Sequence, residues 1–172
     1  MSSSEARPRR AFLAGMAGLA GLASGALGGC NFALRQPPRL GFSSIALAGF
    51  APRSPLRHEL QRQLAQQLRV LDAPAVADVV LQALNEARER SVVASTSAAQ
   101  VRELQLRLKF GFRAHTPAGR ELIPRVELLL ARDLSYRETA ALAKEQEEAE
   151  LFRDMQADMV LQVLRRLAAV HN

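Results

Sequence analysis

The chain has 172 residues, 48% hydrophobic and 23% charged, with a formal net charge of +6. That is enough for one packed domain, while an aromatic content of 5% leaves little to stack nucleic-acid bases. A single cysteine excludes a disulfide framework within the chain.

Residues 1–29 carry Arg7, Arg9 and Arg10 ahead of a Gly- and Ala-rich apolar run from Ala11 to Leu27. The run is too short to span a bilayer comfortably and reads as a cleavable export signal. Arg9-Arg10-Ala11-Phe12-Leu13 resembles a twin-arginine motif; ordinary secretory signals also begin with Arg, so both export routes stay open. Leu27-Gly28-Gly29-Cys30 resembles a bacterial lipobox, in which the thiol is acylated and the chain is cut just before it. Cys30 is therefore the expected lipidation site, and residues 30–41, with Pro37 and Pro38, the lipidated tether. Cleavage there removes three Arg and one Glu, and residues 30–172 keep a net charge of +4.

Phe42 to Leu47 is short and apolar and predicts a first strand ending near Gly49. Ser54 is placed to cap a helix with Pro55 at its first position. Leu56, Leu60, Leu64 and Leu68 then form one apolar stripe, predicting a helix over about 55–70, stopped by Asp72 and Pro74. Val79, Leu81 and Ala83 alternate with polar residues and predict a strand, whereas Asn85 to Arg90 suits a strand or a helix. Ser91 to Ala99 is small and polar enough to include a hairpin connection.

The pattern is clearest over 103–114. Leu104, Leu106, Leu108, Phe110, Phe112 and Ala114 take every even position, and Glu103, Gln105, Arg107, Lys109, Gly111 and Arg113 every odd one. This predicts a half-buried antiparallel strand. Pro117 to Arg120 turns the chain into a return strand through Tyr136, which Pro124 confines to an edge or a bulge. The last helix is expected over about 139–170, capped by Thr139, with Phe152, Met155, Met159, Val163, Leu167 and Val170 facing the core.

The fold class expected is α+β: a two-layer sandwich of an about four-stranded, mostly antiparallel sheet with two amphipathic helices on one face. The opposite sheet face would be polar and Arg-rich. Arg107, Lys109 and Arg113 project from it as candidates for an anionic partner, and for an exported protein lipid head groups suit better than nucleic acid.

No enzyme signature appears. His58, His115 and His171 are scattered, Asp133 and Ser135 lack a histidine to complete a triad, and Glu145 to Glu150 read as a solvated helix start. No metal site or cofactor is expected beyond the lipid on Cys30.

Cys30-Asn31-Phe32-Ala33-Leu34-Arg35-Gln36 resembles the mature start of the LptE lipopolysaccharide-assembly lipoproteins, Cys-Gly-Phe-x-Leu-Arg-Gly, with both glycines replaced. Arg132 followed by Ala141-Leu142-Ala143-Lys144-Glu145 is similar to the family's entry into its last helix. The resemblance implies a non-enzymatic lipoprotein in 42–172, anchored in the outer membrane on its periplasmic side. It would plug the β-barrel LptD and bind lipopolysaccharide during assembly. The family's lipopolysaccharide-contact lysine falls on Lys144. Its second basic contact falls on Ser, Ala and Thr here, leaving Arg102 or Arg107 as substitutes. The alternative reading is an auxiliary outer-membrane lipoprotein of an ABC-type lipid transporter.

Overall fold

A computed structural model describes residues 38–95, 101–136 and 140–170, all within one compact unit. Cys30, the signal and most of the tether lie outside the described residues, as do Thr139, His171 and 96–100. The order is β1 (Ser44–Ala48), α1 (Pro55–Leu64), β2 (Arg69–Leu71), a 3-10 turn (Pro74–Val76), β3 (Val79–Ser95), β4 (Val101–His115), β5 (Glu121–Ser135) and α2 (Ala141–Ala168). The strands form one sheet in the order β2-β1-β3-β4-β5. β1 runs parallel to both neighbours, and β3, β4 and β5 pair antiparallel.

The sheet has five strands and is mixed, where about four had been expected. The added strand comes from the expected helix, which stops at Leu64. Leu68 keeps the stripe's spacing and packs on the core, but Arg69 donates its amide to the Ser43 carbonyl (3.1 Å). The open edge of β1 needs a partner for its backbone groups, and a β-branched Val70 suits it; this outweighs the leucine spacing. Asn85 to Arg90 is strand, and the ladder to β4 runs on to Ser95.

α1 begins as expected: Ser54 Oγ accepts the Arg57 amide (2.9 Å) and donates to the Glu86 carboxylate (2.6 Å), tying the helix start to β3. Gly49 (φ +76°) passes so close to β3 that a Cβ would lie 2.4 Å from the Ala83 carbonyl oxygen. All six even residues from Leu104 to Ala114 are buried, beside a run of stacked rings: Phe50 on Phe110 (5.7 Å) and Phe110 on Phe112 (5.4 Å). β5 is an edge strand, and its ladder shifts around Pro124, so both features that proline permits are present. The shift turns Ile123, an odd position, into the core.

Every residue expected to face the core is buried, five of them on α2 and Val170 just beyond its end, and α2 also buries Gln156, Val160 and Leu164. Its cap residue is Ala140, which makes no side-chain cap bond. No helix among the described residues is long and apolar enough to cross a membrane. The chain enters the domain at the other end of α2: Leu40 packs on the core, and a Cβ on Gly41 would lie 3.4 Å from the Val170 carbonyl oxygen.

Candidate functional site

Lys144 stands in the first turn of α2, where the helix crosses the end of β5. Its Nζ donates to Ser135 Oγ (3.2 Å) and to the Glu147 carboxylate (2.7 Å), leaving the side chain 17% exposed. The charge is thus held in place by a strand hydroxyl and neutralised by an acid one turn on. The sequence already offers Glu145 and Glu147 as helix acids that Lys144 could pair with, and Glu147, at i,i+3, is the partner; Ser135 carries no sequence signal for this contact.

Arg107, Lys109 and Arg113 all leave β4 on the face turned away from the helices, as the alternation requires. Arg107 Nε donates to Gln105 Oε1 (2.7 Å) and Arg113 Nε to Gln82 Oε1 (2.8 Å). Lys109 pairs with Glu89 (2.8 Å). Two of the three cations are therefore held only by neutral amides and keep their full charge, while the third is neutralised. Leu129, cross-strand partner of Lys109, is 56% exposed on the same face.

These four candidates do not form one cluster. Arg107 lies opposite Ala131, four residues before Ser135, which puts Lys144 roughly 14 Å further along the strand direction. Arg113 lies beyond Lys109 in the opposite direction. The surface they define is an interrupted basic strip ending at the start of α2.

The arginines are not confined to the outer face. Glu86, Arg88 and Arg90 pair across the ladder with Phe110, Leu108 and Leu106, so they share the helix side of the sheet. Arg90 reaches Glu148 on α2 (3.2 Å), and the Arg88 guanidinium lies over the Phe152 ring, 5.2 Å from its centroid. The sequence signal is that Asn85 to Arg90 is polar at both parities except Ala87, so this part of β3 offers a helix no apolar face.

His58 is exposed on α1, and His115, whose Nδ1 lies 2.8 Å from the Thr116 carbonyl oxygen, pairs with Glu121 at the opposite end of the β4–β5 ladder from Asp133 and Ser135. Among the described residues no group of three or more His, Cys, Asp or Glu side chains could hold a metal ion.

The family model for lipopolysaccharide assembly, LptE, matches residues 42–167. The solution NMR structure of an uncharacterized lipoprotein B from Nitrosomonas europaea shares the fold with a TM-score of 0.68 at 28% identity, over 81% of this chain and 91% of that one. The crystal structure of the rare lipoprotein B from Shewanella oneidensis gives 0.64 at 22% identity, over 74% and 95%. A minor lipoprotein from Acinetobacter baumannii gives 0.62 at 21% identity, over 76% and 93%. The search of curated proteins returns no match.

Proposed function

The chain belongs to the LptE lipopolysaccharide-assembly family, and from that premise we propose that it is a non-enzymatic outer-membrane lipoprotein, anchored through Cys30 on the periplasmic side. In this reading it occupies the β-barrel LptD and binds lipopolysaccharide on its way to the surface. The observation that carries the proposal is the family match over 42–167, which takes in the whole sheet and nearly all of α2.

Lys144 is the proposed anion contact. Phosphate and carboxylate groups of lipopolysaccharide would compete with Glu147 for its ammonium, and Ser135 would keep the ammonium in place during the exchange. The exposed Leu142 and Ala143 precede it, giving acyl chains an apolar surface beside the charge. Arg107 and Arg113 would extend the attraction along the outer face, with Lys109 a weaker contributor because Glu89 already neutralises it.

The geometry supports a division of labour. The tether enters beside the C-terminal end of α2 and Lys144 lies at its N-terminal end, roughly 40 Å away along the helix. In this reading the point where the tether joins the domain and the proposed contact lie at opposite ends of one helix. The test is binding of purified Lys144→Asp and wild-type protein to lipopolysaccharide, with circular dichroism as the check on folding. A loss of about tenfold or more is expected, the worth of a charge-assisted hydrogen bond replaced by repulsion. Wild-type affinity in a folded variant would remove Lys144 from the site.

A further inference from the structure

The sheet ends in two edges, β2 and β5. β2 is three residues long, whereas β5 runs from Glu121 to Ser135. An edge strand offers a row of backbone N–H and C=O groups to another chain unless proline, lysine, a bulge or a covering element blocks it. β5 is blocked in this way only near its start, where the ladder shifts around Pro124. From Val126 to Ser135 its ladder to β4 is unbroken, and the strand carries neither proline nor lysine. In the middle of that stretch Leu129 is 56% exposed.

The side chains of this edge fit a second copy of themselves. When two identical antiparallel strands pair about a two-fold axis, the residue on the axis faces itself and residues equally far to either side face each other. With Leu129 on the axis, the exposed leucines meet, Glu127 faces Ala131, and Arg125 faces Asp133 at two symmetric places. Arg125 precedes the core-packed Val126, so it shares the outer sheet face with Leu129 and Asp133. Among the described residues Arg125 has no carboxylate partner, and Asp133 meets only the neutral Gln105 amide (3.1 Å). Pairing therefore joins two opposite charges that the single chain leaves apart. On the helix side Leu128 faces Leu130, and Val126 faces Arg132, whose guanidinium is already engaged by Asp158 (3.2 Å) and the Ala131 carbonyl (3.1 Å).

Neighbouring registers lack this match. An axis at Glu127 sets carboxylate on carboxylate, and one at Leu130 sets Glu127 against Asp133. An axis at Leu128 or at Ala131 sets Leu129 against Glu127 or Asp133. We infer that the protein self-associates through β5, with two copies joining their sheets edge to edge about Leu129. The paired stretch from Arg125 to Asp133 is roughly 27 Å long. The inference concerns the protein outside any barrel and does not rest on the lipopolysaccharide reading, so the two fail separately.

The experiment uses the mature chain, which has no free thiol once Cys30 is acylated. Leu129→Cys then adds a single one. Oxidation of this variant, in intact envelopes and after purification in detergent, is expected to give a disulfide-linked species of twice the monomer mass, because facing Cβ atoms in a strand pair lie about 4.5–5.5 Å apart. Ala131→Cys should give less than about a tenth as much, since its two copies would be roughly 14 Å apart along the strands. Sedimentation equilibrium then tests the charges, with circular dichroism as the check on folding. Arg125→Asp or Asp133→Arg alone puts like charges opposite each other at both places and should weaken association about tenfold or more; the two changes together should restore it. A wild-type chain that stays monomeric up to about 100 µM would overturn the inference. So would equal crosslinking at positions 129 and 131, a double variant as weak as the single ones, or a Leu129→Cys adduct to another envelope protein in place of the dimer.

Discussion

A lysine that is mostly buried and already neutralised is a different ligand from a solvated one. Lys144 must exchange Glu147 for any incoming anion, so the acid sets the affinity as much as the lysine does. Glu147→Gln should tighten lipopolysaccharide binding about two- to fivefold, since partly exposed ion pairs contribute up to about 1 kcal/mol. Titration of both proteins against lipopolysaccharide measures it; unchanged or weaker binding would mean that Glu147 does not compete. Asp78 is a second residue whose environment has a measurable consequence. It accepts from the Ser43 amide (3.0 Å), the Ser43 hydroxyl (2.8 Å) and the Ser44 amide (2.9 Å), clasping the start of β1 to the start of β3. Hydrogen bonding by the Ser43 side chain, then by Ser44, holds its carboxyl below the usual carboxylate range. Because the folded-state pKa is depressed, the stabilisation is present above the unfolded value and is lost as pH falls through the folded one. Denaturant midpoints followed from neutral pH down past the carboxylate range should therefore fall more steeply in wild type than in Asp78→Asn. Parallel acid limbs would contradict the clasp.

At the scale of elements, the hydrophobic face of β4 is what the rest of the fold packs on. Leu108 lies fully buried at the middle of it, and Leu108→Ala should cost on the order of 2–5 kcal/mol in chemical unfolding. A shift under about half a kcal/mol would mean that the strand's core face had been assigned the wrong way round. Ser54→Ala should cost about 1–2 kcal/mol, because it removes both the cap on Arg57 and the hydroxyl that Glu86 accepts from. These elements were legible in the sequence for local reasons: strict alternation in β4, a Ser-Pro start for α1, and a long stripe of Phe, Met, Val and Leu for α2. What was not legible depended on partners distant in sequence. The leucine stripe through Leu68 is a good helix signal, and pairing with the edge of β1 makes the residues that follow it, Arg69 to Leu71, into β2. The polar stretch Asn85 to Arg90 has no periodicity to read, because its neighbours on the helix side are solvent and the first turns of α2. Likewise the basic residues of β4 could be placed on one face, but the neutral or acidic character of their partners could not, since Gln82 and Glu89 reach them across the sheet.

For the whole molecule, the proposal assigns opposite ends of α2 to opposite tasks, attachment and lipopolysaccharide contact. One acyl chain binds a bilayer only marginally whereas two or more hold it stably, so the proposed anchoring rests on full acylation of Cys30. Cys30→Ala should give protein that is uncleaved or soluble, read by intact mass and membrane fractionation. Wild-type mass and outer-membrane recovery in that variant would contradict the assignment. The central claim is that the lipoprotein works inside a barrel. Its most direct measurement is affinity purification of the acylated protein from detergent-solubilised envelopes, with the co-purifying proteins identified by mass spectrometry. LptD is expected in near-equal amount, carrying lipopolysaccharide; a folded, acylated protein recovered without that barrel would contradict a role inside it.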